Sequence, residues 1–388
     1  MKNLFKLILI FLLFFSKLYS QEDKSKIDLD FNGYIKYMNT TMFGINDQIK
    51  FDHLIHNRLN FKAYFKESFK FSIEVRNQAI WGYSIKNIPG YDQLVNSNNN
   101  QIDMSFFIVN NDNFLLHTNV ERMYINYNYK DWGIQVGRQR INWGKNLVWN
   151  PNDLFNAYNF IDFDYEERPG TDAVRVQYNT SDFSNIEIAY GYGKDFDSSV
   201  LAAKYIFNFK EYEIQILAGN YYRDFALGLG WEGNIKSTGF KGEATYFIPK
   251  NGTELDKKVL ATSMSVDYYF KNGINLAGSF LYNSGGVSNI DEIGFGNVPF
   301  ANLNAKNLMP NKFSLFGQVS KMFTPAMNGN LALIYAVELQ TVFVMPNFSY
   351  GISENFDLDV IAQLYLGSLN QKFDYVYNSM FLRLRWSF

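Results

Sequence analysis

Apolar and polar residues alternate one by one along most of the chain after residue 26. Ile27, Leu29, Phe31, Ile35 and Tyr37 share one parity, and Asp28, Asp30, Asn32 and Lys36 hold the other. Successive side chains of an extended strand point to opposite faces, so this segment predicts a strand with one apolar and one polar side. The pattern recurs in pairs. Leu59, Phe61, Ala63 and Phe65 lead to a tight turn at Glu67-Ser68, after which Phe69, Phe71, Ile73 and Val75 alternate with Lys70, Ser72, Glu74 and Arg76. Strands joined this closely form a hairpin. Similar hairpins are expected around Lys130-Asp131, Lys271-Asn272-Gly273 and Ser353-Glu354-Asn355.

Longer connections separate these turns, notably Gly82 to His117, Asn142 to Thr171 and Ser284 to Asn311. Short turns alternating with long loops are the rhythm of a transmembrane barrel. The expected fold is all-β, a single antiparallel up-and-down barrel of about 16–18 strands, with 18 the best count and long external loops. The turns at 66–68, 130–131, 271–273 and 353–355 should then lie on one side. A barrel this wide leaves a lumen that wall side chains alone do not fill.

Composition removes the alternatives. Hydrophobic residues make up 47% of the chain and aromatic residues 18%. No stretch after Gln21 is nevertheless apolar and long enough for a spanning helix, which takes about twenty residues. Lipid offers backbone N–H and C=O groups nothing to bond, so without helices a closed barrel is the remaining way to span. Before Gln21, Lys2 and Lys6 precede an apolar run from Leu7 to Phe15, and Ser20 offers a small residue for cleavage. This is the layout of a secretory signal peptide; residues 1–20 are expected to be removed, leaving 21–388 as one barrel domain. The lack of cysteine excludes a disulfide-stapled secreted domain and a lipoprotein held through an N-terminal Cys. The net charge of −2, which becomes −5 once Lys2, Lys6 and Lys17 leave, supplies no basic stripe for nucleic acid.

The last eleven residues sharpen the picture. Met380, Leu382, Leu384, Trp386 and Phe388 fall on one face of a strand, and Arg383, Arg385 and Ser387 on the other. A terminal Phe after such alternation resembles the signal that bacterial outer-membrane β-barrel proteins present to their insertion machinery; here Trp386 and Phe388 carry it. The resemblance implies a Gram-negative outer-membrane location, with outer-membrane lipid and the insertion machinery as partners. In a closed barrel this strand lies beside strand one, where Asp28 and Asp30 share a lumen-facing parity. Arg383 and Arg385 are therefore expected to meet Asp28 and Asp30 at the closing seam.

One stretch breaks the alternation. Gly137-Arg138-Gln139 leads to Trp143-Gly144, then to Asn150-Pro151 and Arg168-Pro169-Gly170. From Gly137 to Arg175 this run resembles porin-like and alginate-export-like outer-membrane families. The resemblance implies a porin-like channel passing small solutes or an exported substrate, with an envelope export partner in the latter case. Physically, Asn150 before Pro151 is restricted to extended conformations, and Trp143-Gly144 and Pro169-Gly170 are turn and close-approach chemistry, so the loop is a built one. Asp153, Asp162, Asp164, Glu166, Glu167 and Asp172 lie here among Arg138, Arg140, Arg168 and Arg175, with Trp143, Trp149, Phe155, Phe160 and Phe163 between them. The loop has apolar material to pack against a wall and charge to form pairs. It is expected to fold into the lumen as a constriction, the four arginines opposing the acids across the pore. The competing reading is an external loop held by surface ion pairs. Strand parity from Trp132, Ile134 and Val136 conflicts with the first reading, because it places Arg138 and Arg140 on the lipid side unless a bulge intervenes.

Elsewhere the lumen parity carries Arg58, Lys62, Lys70, Arg76 and Arg122 against Glu74, Glu187, Glu243, Asp267, Glu338 and Asp359. Neither sign dominates, so weak ionic selectivity is expected. His53 and His56 face opposite sides of one strand and make no metal pair. A barrel hydrolase would need a partner such as Ser105 or Asp112 beside His117. No cofactor is implied, and the chain is read as a non-enzyme. The leading function is an aqueous channel, favoured by small or polar lumen positions such as Gly33, Ser72, Gln135, Gln177, Ser263, Ser265 and Gln318. Its rival is a non-conducting barrel serving as a subunit or scaffold of an envelope assembly, which would need filling from the long connections.

Overall fold

The computed structural model describes residues 27–43, 48–96, 101–157, 160, 163–164, 167–250, 257–288, 303–369 and 372–388. The expected signal peptide lies outside the described residues, as do Asp162 and Glu166. Nineteen strands form one sheet. The first six are β1 (Ile27–Phe43), β2 (Ile49–Phe65), β3 (Phe69–Gly82), β4 (Ser105–Asn111), β5 (Phe114–Tyr129) and β6 (Trp132–Gln139). Then come β7 (Thr171–Ser181), β8 (Ser184–Gly191), β9 (Val200–Phe209), β10 (Tyr212–Tyr221), β11 (Asp224–Ile235), β12 (Thr238–Pro249) and β13 (Val259–Tyr269). The last six are β14 (Ile274–Asn283), β15 (Phe313–Thr324), β16 (Met327–Ala336), β17 (Thr341–Ser353), β18 (Phe356–Leu369) and β19 (Lys372–Ser387).

All neighbours are antiparallel, and β1 pairs with β19 to close the ring. Strand β4 pairs only with the upper part of β5, whose other edge already holds β3, so the ring itself has eighteen strands. The expected count is met. The tight turns after β2, β5, β13 and β17 lie at one end, again as expected. The opposite end is less uniform than expected. Three long connections gather there, but only Tyr222-Arg223 joins β10 to β11 and four residues, Val337 to Gln340, join β16 to β17. Tyr222 (φ 54°) and Gln340 (φ 48°) take the left-handed conformation that lets a hairpin reverse over so few residues.

Phe31, Ile125, Ile188, Phe225, Leu227 and Leu382 stand exposed on the outer surface. Inward positions around the ring are polar and buried, among them Gln215, Glu243, Thr245 and Ser263. Such a ring, apolar outside and free of open edges around its circumference, suits a hydrocarbon surround, where unpaired backbone groups cost several kcal/mol each. One irregularity alters the inner wall. Between Glu74 and Val75 of β3 the register against β5 slips by one, from Arg122 to Val120, leaving Glu121 as the extra residue of a bulge. Both Glu121 and Arg122 consequently turn inward, where Glu121 is 2% exposed and bonded to Arg58 and Arg76. Simple alternation gives Glu121 to the lipid.

Candidate functional site: a loop folded into the lumen

Strand β6 has eight residues and stops early. Within it Gly137 pairs with Tyr124 and Ala173 at φ +119°, and a Cβ there would lie 2.3 Å from the Met123 carbonyl oxygen, so only glycine fits. The chain leaves the wall after Gln139, and the described residues between 140 and 170 run through the interior.

The parity conflict at Arg138 is resolved in the wall itself. Arg138 faces away from the lumen, yet it is 1% exposed because the segment just before β4 covers it. Its Nε donates to Asp172 Oδ1 at 2.8 Å, its Nη1 to the Val120 carbonyl at 3.0 Å, and its Nη2 to the Ile102 carbonyl. Ile102 N–H donates in turn to Asp172 Oδ2 at 3.1 Å. Arg138 and Asp172 therefore do not oppose one another across a pore; they clasp β4 to the top of β6 and β7. Arg175 likewise reaches Glu187 along the wall, at 3.9 Å.

The loop's first half grips the wall from β8 to β13. Trp143 is 1% exposed and donates through Nε1 to Glu187 Oε1 at 2.7 Å, while Gln215 Nε2 donates to its carbonyl at 3.0 Å. Glu243 of β12 accepts backbone N–H groups from Asn146 and Asn152, each at 2.9 Å, and from Lys145. Asn152 lies against β11 where Gly228 and Gly230 stand; a Cβ at those positions would fall 2.7 and 2.9 Å from its side chain. Asp153, fully buried, accepts from Trp143 N–H at 3.3 Å and lies 3.9 Å from Arg168. Burial pushes its carboxyl up to about 7, against the opposing effects of the Trp143 hydrogen bond and the Arg168 charge.

The second half crosses to the remaining wall. Val148 and Trp149 enter an apolar cluster with Leu281, Phe316, Ile334, Phe343, Ile361 and Phe381 from β14 to β19. Phe160 packs edge-on against Phe316 at 5.1 Å, and Phe163 against Phe381 at 4.7 Å. Asp164 then meets Lys36 Nζ at 2.7 Å, the His56 imidazole Nδ1 at 3.2 Å and Arg383 Nη1 at 3.5 Å. Burial alone would raise its pKa, but the His56 hydrogen bond and the Lys36 charge outweigh that and hold it well below the carboxylate range. Glu167 accepts from Tyr34 Oη at 2.8 Å and lies 3.7 Å from Arg58. Arg122 Nη2 donates to the Arg168 carbonyl at 2.8 Å.

The loop's acids thus do find cations, but mostly those of the wall. Nothing local to Lys36, His56 or Arg58 announces a loop partner more than a hundred residues away, and nothing local to Glu121 announces its bonds to Arg58 and Arg76. Arg140 lies near enough to Asp153 to lower its pKa, so it sits on the inner side. The expected seam pairing is absent. Register sets Tyr34 opposite Ser387, which carries Asp28 and Asp30 past the end of β19 to face Tyr64 and Lys62 of β2. Arg383 bonds Asp359 Oδ2 at 2.9 Å, and Arg385 lies over the Tyr34 ring at 4.6 Å. The shear of the barrel is the cause. What does close the seam is a reciprocal pair, Gly33 N–H to the Phe388 carbonyl at 2.9 Å and Phe388 N–H to the Gly33 carbonyl at 3.0 Å.

A cavity of ≈ 680 Å³ remains above the loop, lined in part by Met38, Arg76, His117, Glu121, Phe155 and Tyr221. His117 Nε2 there faces Asn96 Oδ1 at 3.2 Å, and Ser105 Oγ donates to that same oxygen instead of approaching the imidazole as a nucleophile would. No cluster of three metal-ligating side chains occurs among the described residues.

No protein-family model matches the sequence, and no curated protein matches it. Solved structures do. A BenF-like porin from Pseudomonas fluorescens Pf-5 superposes with a TM-score of 0.60 at 10% identity, over 93% of this chain and 98% of that one. OccAB4 of Acinetobacter baumannii gives 0.57 at 11% identity, over 95% and 100% of the two chains. OprD of Pseudomonas aeruginosa gives 0.57 at 7% identity, over 95% and 97%. At such identities the likeness is one of fold: the chain is a closed antiparallel barrel of the same architecture.

Proposed function

We propose that this chain is an outer-membrane channel for small solutes in which the loop from 140 to 170 is the constriction. The observation that carries the reading is the loop's path: it leaves the wall after Gln139, and its described residues cross the lumen, held by charged and apolar contacts on nearly every side. The fold shared with solved porins supports the channel class. Delivery to the outer membrane follows from the same reading, with residues 1–20 removed on export and Trp386 and Phe388 presented to the insertion machinery.

The passage runs beside β1 to β5, where the wall is charged, since aromatic and aliphatic side chains fill the other half. Along that path Lys36, Arg58, Arg76 and Arg383 each lie within ion-pair distance of an acid. Paired charges present little net field to a passing ion, so selectivity between cations and anions is weak. Planar-bilayer recording of purified protein tests the reading. Deleting residues 147–164 raises conductance and the solute size limit of a barrel that still inserts; unchanged values overturn the constriction. A second reading, a non-conducting scaffold, is favoured by the apolar filling contributed by Trp149, Leu308 and Met309. A barrel silent under all voltages would select it.

A further inference from the structure

We infer that Glu243 is the positioning residue of the constriction: one wall carboxylate sets where the lumen loop stands and how still it is. The inference rests on the channel reading above and goes beyond it, since it names the group on which the bore depends. Glu243 is 0% exposed on β12. Both of its oxygens accept backbone N–H groups of the loop, Oε1 from Lys145 and Asn146 and Oε2 from Asn152. A side chain that binds main chain fixes the path of the loop regardless of what its side chains do. It also draws together two points seven residues apart, closing the segment 145–152 into a ring around one carboxylate.

The neighbouring wall is shaped to the same purpose. Thr245, two residues further along β12, donates to the Pro151 carbonyl at 2.9 Å and to Asn152 Oδ1 at 2.7 Å. Asn152 Nδ2 donates to the Leu229 carbonyl at 3.2 Å, over the two glycines of β11. Asn146 Nδ2 donates to the Ser263 carbonyl of β13 at 3.2 Å. Three consecutive strands thus converge on the ring that Glu243 closes. The Lys145 ammonium turns away from this carboxylate to Glu213, so Glu243 holds the loop through amides and not through a side-chain ion pair.

Glu243→Gln keeps the size of the side chain but turns an NH₂ group toward donors, so at least one loop amide loses its acceptor. In planar bilayers the variant is expected to show open-channel noise several-fold above the parent and a mean conductance moved toward that of the 147–164 deletion. Trypsin added to the folded barrel is expected to cut after Lys145 in the variant and not in the parent. Glu243→Asp, which keeps the charge one methylene back, recovers part of the quiet state. Heat-modifiable migration on gels shows whether each barrel is folded. If Glu243→Gln does not insert, Asn152→Pro tests the same ring from the loop side, because proline has no N–H for Oε2 to accept. Parental noise, conductance and trypsin resistance in whichever variant folds overturn the inference. If the deletion itself leaves conductance unchanged, it is the constriction that fails; if only the deletion has an effect, the constriction stands and the positioning role of Glu243 is lost.

Discussion

The two halves of the lumen solve one problem by opposite means. Along β14 to β18 the inner wall carries Leu281, Phe316, Ile334, Phe343 and Ile361, and the loop answers with Val148, Trp149 and Phe160. Along β1 to β5 the wall carries Lys36, Arg58, Arg76, Glu121 and Arg122, and the loop answers with Asp164 and Glu167. The first half is a dry core of the kind found inside soluble domains. It holds by area and shape, tolerates no water and offers no path. The second holds by matched charges that are just as deeply buried, Lys36, His56, Arg58 and Glu121 each being 2% exposed or less. A barrel wide enough to be a pore is thereby narrowed from both sides, by area on one and by charge on the other.

Each half can be broken separately. The largest effect is expected at Trp149, 3% exposed in the apolar half. Trp149→Ala should cost about 3–5 kcal/mol, the usual range for removing a buried tryptophan. Gel migration against temperature would register it as a lower unfolding temperature, with the loop newly open to protease. In the charged half, Asp164→Asn removes the acid that Lys36, His56 and Arg383 share. Hydrogen bonds to charged groups contribute about 1.5–3 kcal/mol, so a smaller loss of stability is expected here. Because the freed cations line the polar passage, a shift of reversal potential toward anion preference should accompany it. An unchanged reversal potential would mean that the passage does not run beside Asp164.

A pH effect separates the two ends of the loop. The Asp153 carboxyl is raised to about 7 by burial, so it stays protonated in the folded protein where the unfolded chain has already ionised. Its contribution therefore falls as pH rises from about 4 to about 7 and levels off above that. Asp153→Asn should flatten this slope in unfolding temperature measured across the same window. Asp164 has the opposite sign: with its pKa held low, its contribution is fully present above the ordinary carboxylate range and is lost only in strong acid. The smallest effect is expected at Lys62, half-exposed and 3.4 Å from Asp30. Lys62→Ala should change stability by about 0–1 kcal/mol, as for other surface pairs. A larger loss would show that the rim is more tightly built than its exposure suggests.

The fold was legible because strand alternation is local. Ile27 to Tyr37 and Met380 to Phe388 declare their two faces without reference to anything distant, and the tight turns declare the hairpins. The loop was legible in part: Trp143, Trp149, Phe160 and Phe163 marked it as material to be buried, and its acids as groups needing partners. Which partners they meet was not legible, since Lys36 and His56 face each other across β1 and β2 while only closure brings Arg383 of β19 beside them. Two local irregularities also defeated parity. The bulge at Glu121 turned a nominally lipid-facing acid inward, and the segment before β4 buried Arg138 on the outer face. The seam pairing of Asp28 and Asp30 with Arg383 and Arg385 failed for a third reason: alternation fixes faces but not register, and the shear offsets the two strands by several residues.

The grip on Asp164 also dates the loop's final placement. Arg383 and Asp164 are 219 residues apart in the chain, and Lys36 and Arg383 become neighbours only when β1 and β19 have paired. Contacts so distant form late, after the loop-closure entropy of everything between has been met. The wall from β8 to β13 can seat the loop's first half beforehand. The contacts of Trp149, Phe160 and Phe163 with β14 to β19 need no closure either, so closure adds the joint grip of Lys36 and Arg383 on Asp164, and a barrel caught before it would hold that part of the loop more loosely.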